Sequence, residues 1–378
     1  MIGGRKEVIV SESTLSPQVK TITPSDLEVT GCNITYSIKD YFNTEPSPDD
    51  DIQKIIGYQN NKFGLYVYST ENFIKKADEL VNSNGGDWGY VLIPYNVRDY
   101  DTSKWKKIFN LLNSKHLIPI IQLWDVSLDN YEKETRKASE FLNGFSWPIK
   151  NKYISIYNEP NDARFWKDTL DPDGYAKVLD FTIDEFKKKD KDFFMLNGAF
   201  NSTAPTIDGY MDEVGFMREM NKSIPGIFEK LDGWASHPYA QPGFVGSPTD
   251  IGRDSIRAYE WELSVLNNEF NVRNLPVFIT ETGWPHAEGA VFNYNYYDSE
   301  IVAKYIKYAF ENVWLKDDRV VSVTPFTVYY DPPFDHFSWV GKNGEGYKQF
   351  QTILSIKKVA GKPPINFPII EKINDCGL

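Results

Sequence analysis

The sequence predicts an α/β fold: a single (β/α)8 TIM barrel with a polar N-terminal arm. Short apolar, β-branched or aromatic runs alternate with amphipathic segments, a pattern typical of βα units around a parallel sheet. Such a barrel takes about 250 residues plus loops, so a chain of 378 residues is long enough. A doubly wound sheet is the rival fold, but Tyr68-Ser69-Thr70-Glu71 follows the first run in place of a Gly-rich phosphate-binding turn.

Eight runs rich in Val, Ile, Leu, Phe and Tyr are the strand candidates. In chain order they are residues 62–68, 88–94, 117–124, 153–157, 193–199, 231–236, 276–280 and 320–328. Each run is short and bounded by polar or turn-forming residues, as expected for strands of a buried parallel sheet. Eight strands, each followed by a helix, are what a closed barrel of this class requires.

The segments after these runs have apolar residues at i, i+3 and i+4 spacing, which predicts helices that each bury one face. Ile301, Tyr305 and Tyr308 recur at this spacing with charged residues between them. The predicted helices are residues 71–82, 102–115, 131–142, 173–189, 211–220, 254–270, 299–314 and 349–358.

Residues 1–30 are rich in Ser, Thr and Pro without periodicity, which predicts a flexible arm before one domain of residues 31–378, with the barrel core at about 62–358. A further strand-like run, residues 32–38, could instead be the true first strand. Cys32 and Cys376 lie near opposite ends of the chain. If the fold brings the termini together they could form a disulfide; otherwise they are two unpaired thiols.

The charge and aromatic content bear on the class of ligand. A net charge of −12 has the wrong sign for binding nucleic acid or an anionic membrane surface. No apolar window is long enough for a transmembrane segment, and residues 1–10 lack the apolar stretch of a signal peptide. Aromatic residues make up 15 % of the chain, and we expect some of them to line a binding surface.

Two glutamates follow strand candidates at positions where a barrel carries its reactive groups. Glu159 follows the fourth run in Asn158-Glu159-Pro160, and Glu281 follows the seventh in Glu281-Thr282-Gly283-Trp284-Pro285. Side chains at these strand ends project over the barrel mouth. Two carboxyl groups across one cleft suit glycoside hydrolysis, in which one donates a proton to the leaving oxygen and the other attacks the sugar.

The segments ISIYNEP and VFITETGWP, about 120 residues apart, resemble those of the clan A retaining glycoside hydrolases. TETGWP is similar to the nucleophile segment of plant-type β-1,3-glucanases, whereas NEP is closer to cellulase- and xylosidase-like families. The resemblance implies cleavage of β-linked polysaccharide or oligosaccharide by double displacement, without a cofactor. It also implies that Glu159 is the general acid/base, that Glu281 is the nucleophile, and that Asn158 hydrogen-bonds the sugar 2-hydroxyl.

Further candidates surround this pair. Tyr239 and Arg98 are candidate donors that would keep Glu281 ionised, and His237 could orient the nucleophile or bind a hydroxyl. Aromatic residues on strand-end loops could stack on sugar rings. Seven such residues are Trp124, Trp166, Tyr239, Trp284, Tyr329, Tyr330 and Trp339. Trp124, Trp284, Tyr329 and Trp339 are assigned as sugar platforms, with Trp339, or alternatively Tyr329, nearest the cleaved bond. The loop of residues 161–172 is long enough to shape a groove or a pocket.

Two other functions stay open at this point. One is a catalytically silent barrel that binds glycans; the presence of both glutamates argues against it. The other is a metal-dependent hydrolase using His237, His286 and His336, but the first strand lacks the His-x-His ligand pair that such an enzyme ordinarily uses.

We expect the protein to be a monomer that holds no metal. Polymeric glycans lie outside cells, which favours an extracellular or cell-surface protein whose leader has been removed, with a cytoplasmic one as the alternative.

Overall fold

The computed structural model describes residues 34–38, 56–366 and 370–374. The chain divides into two compact units, one of residues 44–367 and one formed by the two chain ends. The larger unit contains eight strands and eight α-helices among its described residues, in strict alternation. The strands are β1 (Gly64–Tyr66), β2 (Gly89–Asn96), β3 (Leu117–Trp124), β4 (Lys152–Ser155), β5 (Phe193–Leu196), β6 (Trp234–Ser236), β7 (Val277–Ile279) and β8 (Val320–Val323).

Each strand is followed by a helix that packs one apolar face inward. The helices are α1 (Glu71–Val81), α2 (Thr102–Ser114), α3 (Tyr131–Asn143), α4 (Pro172–Lys189), α5 (Glu213–Ser223), α6 (Ala258–Phe270), α7 (Ser299–Asn312) and α8 (Lys348–Ser355). Four of the helices have an aspartate as the N-cap residue. Its side chain accepts a hydrogen bond from a backbone N–H of the first turn, and the four residues are Asp101, Asp171, Asp212 and Asp298. All eight predicted strands and all eight predicted helices therefore have counterparts.

The strands are parallel and pair in sequence order. One sheet has the order β1-β2-β3-β4-β5 and the other β6-β7-β8. Single parallel bridges, Leu196 with Gly233 and Phe63 with Val323, link the edges of the two sheets on both sides. Sequential order is not the order of a doubly wound sheet, in which the strand order reverses near the middle. Because all eight strands run the same way, their carboxyl ends lie at one end of the sheets.

The smaller unit contains a two-stranded antiparallel ladder in which Ile34–Ile38 pairs with Ile370–Asn374. The proposal that residues 32–38 form the first strand of the parallel sheet is therefore wrong, since Gly64–Tyr66 occupies that place. Cys32, Cys376 and residues 1–30 lie outside the described residues. Across the described ranges, no helix is both long and apolar enough to cross a bilayer.

Candidate active site

A cavity of about 720 Å³ opens at the carboxyl ends of the parallel strands. Every strand, or the loop directly after it, contributes to its wall. One contributor from each, in order from β1 to β8, is Tyr66, Asn96, Gln122, Glu159, Asn201, His237, Glu281 and Phe326. The two glutamates singled out by the sequence therefore line the same cavity, together with Asn158, Tyr239 and Trp124.

One imidazole lies between the two carboxyl groups. His237 Nδ1 is 3.0 Å from Glu159 Oε1, within hydrogen-bond distance, and 3.9 Å from Glu281 Oε2. The sum of the two distances sets an upper limit of about 7 Å on the separation of these two oxygens, so both carboxyl groups can reach the same bound group. The His237 side chain is fully buried, so its contacts with the carboxylates are poorly screened by water.

Glu281 also accepts a hydrogen bond from Tyr239, whose hydroxyl lies 3.1 Å from Oε2. Burial raises the pKa of Glu281; His237 acts to lower it, the charge of Glu159 raises it further, and the Tyr239 hydrogen bond lowers it, with a resulting pKa of about 7. At His237, burial acts to lower the pKa, but the charges of Glu281 and Glu159 outweigh it and the pKa is raised. Glu281 therefore changes its protonation near neutral pH.

The short contact between His237 Nδ1 and Glu159 Oε1 places an imidazole against the residue that the sequence predicts to be the proton donor. This arrangement could not be read from the sequence, which places His237 and Glu159 78 residues apart.

Asn158 is held by a strand residue that sequence reasoning missed. Gln122 Nε2 in β3 donates to Asn158 Oδ1 at 3.1 Å, which orients the amide so that its NH2 group remains available for a ligand. A polar Gln within the otherwise apolar run LIPIIQLW was the available signal. Tyr66, the last residue of β1, also lines the cavity. Like Gln122, it lies inside a predicted strand, whereas only the residues after the strands were considered as site candidates.

The four predicted aromatic platforms have different positions. Trp124 is 43 % exposed and lines the cavity. Trp339 and Trp284 are each 3 % exposed and do not line it, so the assignment of these two indoles as sugar platforms is corrected. Trp284 Nε1 donates to the carbonyl of Gly246, which fixes the indole beneath a loop. The backbone N–H of Trp339 donates to the carbonyls of Thr327 and Val328 in the loop after β8. The side chain of Trp339 packs in the core.

Tyr329 and Arg98 also lie outside the wall of the main cavity. Tyr329 stacks on Phe73 and donates to Asp331. Arg98 forms ion pairs with Asp125 and Glu134. The expectation that Arg98 keeps Glu281 ionised is therefore wrong, because its guanidinium is held by other carboxylates. The neighbouring Tyr330, by contrast, lines the cavity.

The histidines do not assemble a metal centre. The Nε2 of His286 lies 2.8 Å from the carbonyl of Ser338, and the Nδ1 of His336 lies 2.8 Å from the carbonyl of His286. Within the part of the chain that the structure describes, no group of three His, Cys, Asp or Glu side chains is arranged to hold a metal ion. His237 is the one member of the trio that reaches the glutamates.

Comparisons with known proteins find similarity in structure, not in sequence. No protein-family model matches the chain, and no curated protein sequence matches it. A β-xylosidase from Caulobacter crescentus CB15 has a TM-score of 0.52 at 14 % identity, over 78 % of this chain and 68 % of the xylosidase. An endo-β-1,3-glucanase of family GH128, subgroup II, from Pseudomonas viridiflava has a TM-score of 0.50 at 13 % identity, over 79 % and 98 %.

A fungal β-1,4-galactanase has a TM-score of 0.50 at 12 % identity, over 79 % of this chain and 100 % of the galactanase. The three enzymes cleave different sugars, and they share with this chain an α/β fold built on a parallel sheet. At such low identity the likeness shows the fold, and the function has to be argued from the site itself.

Proposed function

We propose that the protein is a retaining glycoside hydrolase that cleaves β-linked glycans, and that its eight strands form a (β/α)8 barrel. The observation that carries the proposal is the group of Glu159, His237 and Glu281 in one cavity at the carboxyl ends of the strands. Active sites of (β/α)8 barrels lie at this end. The sequential strand order and the two bridges between sheet edges support the barrel.

In the first step, a carboxylate oxygen of Glu281 attacks the anomeric carbon of the sugar. The bond between this carbon and the leaving oxygen breaks, and that oxygen takes a proton from the carboxyl of Glu159. Glu281 must be ionised for this step, and the hydroxyl of Tyr239 stabilises the ionised form. His237 lies within hydrogen-bond distance of Glu159, at 3.0 Å, and so orients this carboxyl.

In the second step, the carboxylate of Glu159 removes a proton from water, and the water oxygen attacks the anomeric carbon. The ester bond to Glu281 breaks, and the sugar leaves with its original anomeric configuration. The NH2 group of Asn158, oriented by Gln122, is suited to donate to a sugar hydroxyl beside the reacting carbon. Such a bond accelerates the reaction if it is stronger in the transition state than in the bound substrate.

The cavity wall supports a neutral glycan as substrate. Aromatic rings, including Tyr66, Trp124 and Phe337, alternate with amides and hydroxyls along it. Sugar rings stack their C–H faces on aromatic groups and offer hydroxyls to polar groups. The basic side chains in the wall are already paired, Lys104 with Asp99 and Arg164 with Asp162. An acidic sugar would find no free cation among the described residues of this wall.

The decisive experiment measures new reducing ends after incubation with linear β-1,4-xylan, β-1,3-glucan, β-1,4-mannan and β-1,4-galactan oligosaccharides. The Glu281→Ala variant should lose turnover, and added azide should restore it with an α-glycosyl azide as product. That product requires attack on the face that Glu281 occupies. Binding without cleavage in the parent protein would favour a silent glycan-binding protein, and undiminished turnover in Glu281→Ala would refute the proposed nucleophile.

A further inference from the structure

A second, smaller cavity adjoins the main one. This side pocket has a volume of about 160 Å³ and shares Trp124, Asn158, Arg164 and Phe165 with the wall of the main cavity. The rest of its wall is Asp125, Val126, Tyr157, Trp166, Lys167 and Asp168. On the same measure the side pocket has less than a quarter of the volume of the main cavity, which suits a small group more than a chain of sugars.

The wall of the side pocket is preformed. Four of its non-glycine residues, Asp125, Tyr157, Lys167 and Asp168, have positive φ angles between 55° and 71°. This conformation is uncommon for such residues and persists where the surroundings enforce it, often at binding sites. The indole of Trp166 packs edge-on against Tyr157, with ring centroids 5.7 Å apart, and is 1 % exposed.

The cationic side chains around the side pocket are already engaged by carboxylates, which disfavours an acidic ligand. Lys167 forms an ion pair with Asp125, and the guanidinium of Arg164 binds both carboxylate oxygens of Asp162. Asp168 is exposed and belongs to the wall. Its carboxylate is an acceptor that repels anions and can accept hydrogen bonds from hydroxyl groups.

The side pocket opens beside the reacting groups, because Asn158 belongs to both cavities and precedes Glu159 in the chain. A group that enters it while a glycan fills the main cavity must be attached to a sugar at or next to the cleaved bond. We propose that the side pocket binds a single neutral sugar that branches from the main glycan chain, so that the protein prefers branched over linear substrates. This inference rests on the proposed hydrolase function.

The test compares kcat/KM for branched and linear oligosaccharides with the same backbone. The probes are linear β-1,4-xylan with its arabinose-substituted and its glucuronic acid-substituted forms, linear β-1,3-glucan with its β-1,6-glucosyl-branched form, and linear β-1,4-galactan with its arabinose-substituted form. For the backbone that is cleaved, we expect the neutral branch to raise kcat/KM at least tenfold. If the xylan backbone is the one cleaved, the acidic branch should give no such gain.

The variant Asp168→Trp places a large side chain in the wall of the side pocket, and it should lower the branched-to-linear ratio at least fivefold. Asn274→Trp is the matched control, because Asn274 is also exposed and has a φ of 61° but precedes β7 at the other end of the strands. The ratio should keep its parent value in this control. A parent ratio near one, or an equal ratio in Asp168→Trp and the parent, overturns the inference even if glycans are hydrolysed.

The same probes separate this inference from the proposed function. If the protein hydrolyses none of them and no β-1,4-mannan, the hydrolase assignment fails; whenever none of these probes is cleaved, binding by isothermal titration calorimetry decides the inference. Tighter binding of the neutral branched member, lost in Asp168→Trp and kept in Asn274→Trp, would support the side pocket. Equal binding of branched and linear members, or binding of neither, would overturn it.

Discussion

The imidazole Nδ1 of His237 lies 3.0 Å from Oε1 of Glu159. The same nitrogen is 3.9 Å from Oε2 of Glu281, so one buried base touches the proposed acid and faces the proposed nucleophile. Burial and the charge of Glu159 raise the pKa of Glu281, with a net value of about 7. In the proposed reaction, the protonation of Glu281 would therefore limit the pH range in which this residue can attack.

The variant Tyr239→Phe should shift the acid limb of the pH profile to higher pH. Glu281 attacks only when ionised, so kcat/KM should rise with pH through the Glu281 pKa of about 7. The Tyr239 hydroxyl donates to the carboxylate and stabilises its charged form. Its loss should move the limb upward by about one pH unit. The measurement is kcat/KM of variant and parent from pH 4 to 9.

Tyr294→Phe is the control for this shift, because Tyr294 is 90 % exposed and does not line the cavity. Its pH profile should coincide with that of the parent. An acid limb that stays in place in Tyr239→Phe, or moves to lower pH, would contradict the assignment of this limb to Glu281.

The effect of Glu159→Ala should depend on the leaving group. Loss of the general acid should lower kcat/KM by about 100- to 10,000-fold on oligosaccharides, whose alcohol leaving groups need a proton. A 2,4-dinitrophenyl glycoside releases a stable phenolate and should lose far less. Glu132→Ala, at a half-exposed position on α3, should change neither rate. Equal losses on both substrates would show that Glu159 does not act as the proton donor.

The positions of the two proposed reactive residues could be predicted from the sequence because both lie close after the end of a parallel strand. Glu281 is two residues after β7 and Glu159 is four residues after β4, and both line the cavity. Nearness to a strand end is not sufficient, since Arg98, two residues after β2, does not line it. Trp339 follows β8 at a greater distance, and its backbone bonds back to Val328, which turns the indole into the core. The guanidinium of Arg98 is held outside the cavity wall by an ion pair with Asp125, which lies 27 residues away in the sequence. Long-range contacts of this kind leave no signal in sequence spacing.

Trp124 should contribute more to substrate binding than Trp339. The Trp124 indole lies on the cavity wall and is 43 % exposed, so a sugar ring can cover it. Its replacement by Ala should raise KM about tenfold, corresponding to about 1.4 kcal/mol, with little change in the free energy of unfolding. Trp339→Ala removes a core side chain and should lower the free energy of unfolding by about 3–5 kcal/mol. Similar effects of the two variants on KM, once folding is allowed for, would contradict this ranking.

A pair of buried glutamates outside the cavity should make the folded state less stable as pH rises. Glu213 begins α5, is fully buried, and neither of its carboxyl oxygens has a hydrogen-bond partner within the described residues. Burial and the charge of Glu262 raise its pKa, and burial raises the pKa of Glu262 to about 7 even though Trp234 donates to it. Both groups ionise at lower pH in the unfolded chain than in the folded protein.

Because the folded state then binds more protons than the unfolded state, the free energy of unfolding falls from about pH 4.5 to about pH 7 and above, by about 1.4 kcal/mol per pH unit for each proton involved. Gln is uncharged at every pH, so Glu213→Gln should be more stable than the parent by about 1–3 kcal/mol at pH 8, with a smaller gain at pH 5. Urea denaturation at both pH values measures this difference. Glu219→Gln, half-exposed on the same helix, should show no such pH-dependent gain. A gain in Glu213→Gln that is equal at both pH values would mean that this carboxyl ionises with the same pKa in the folded and the unfolded chain, contrary to the prediction.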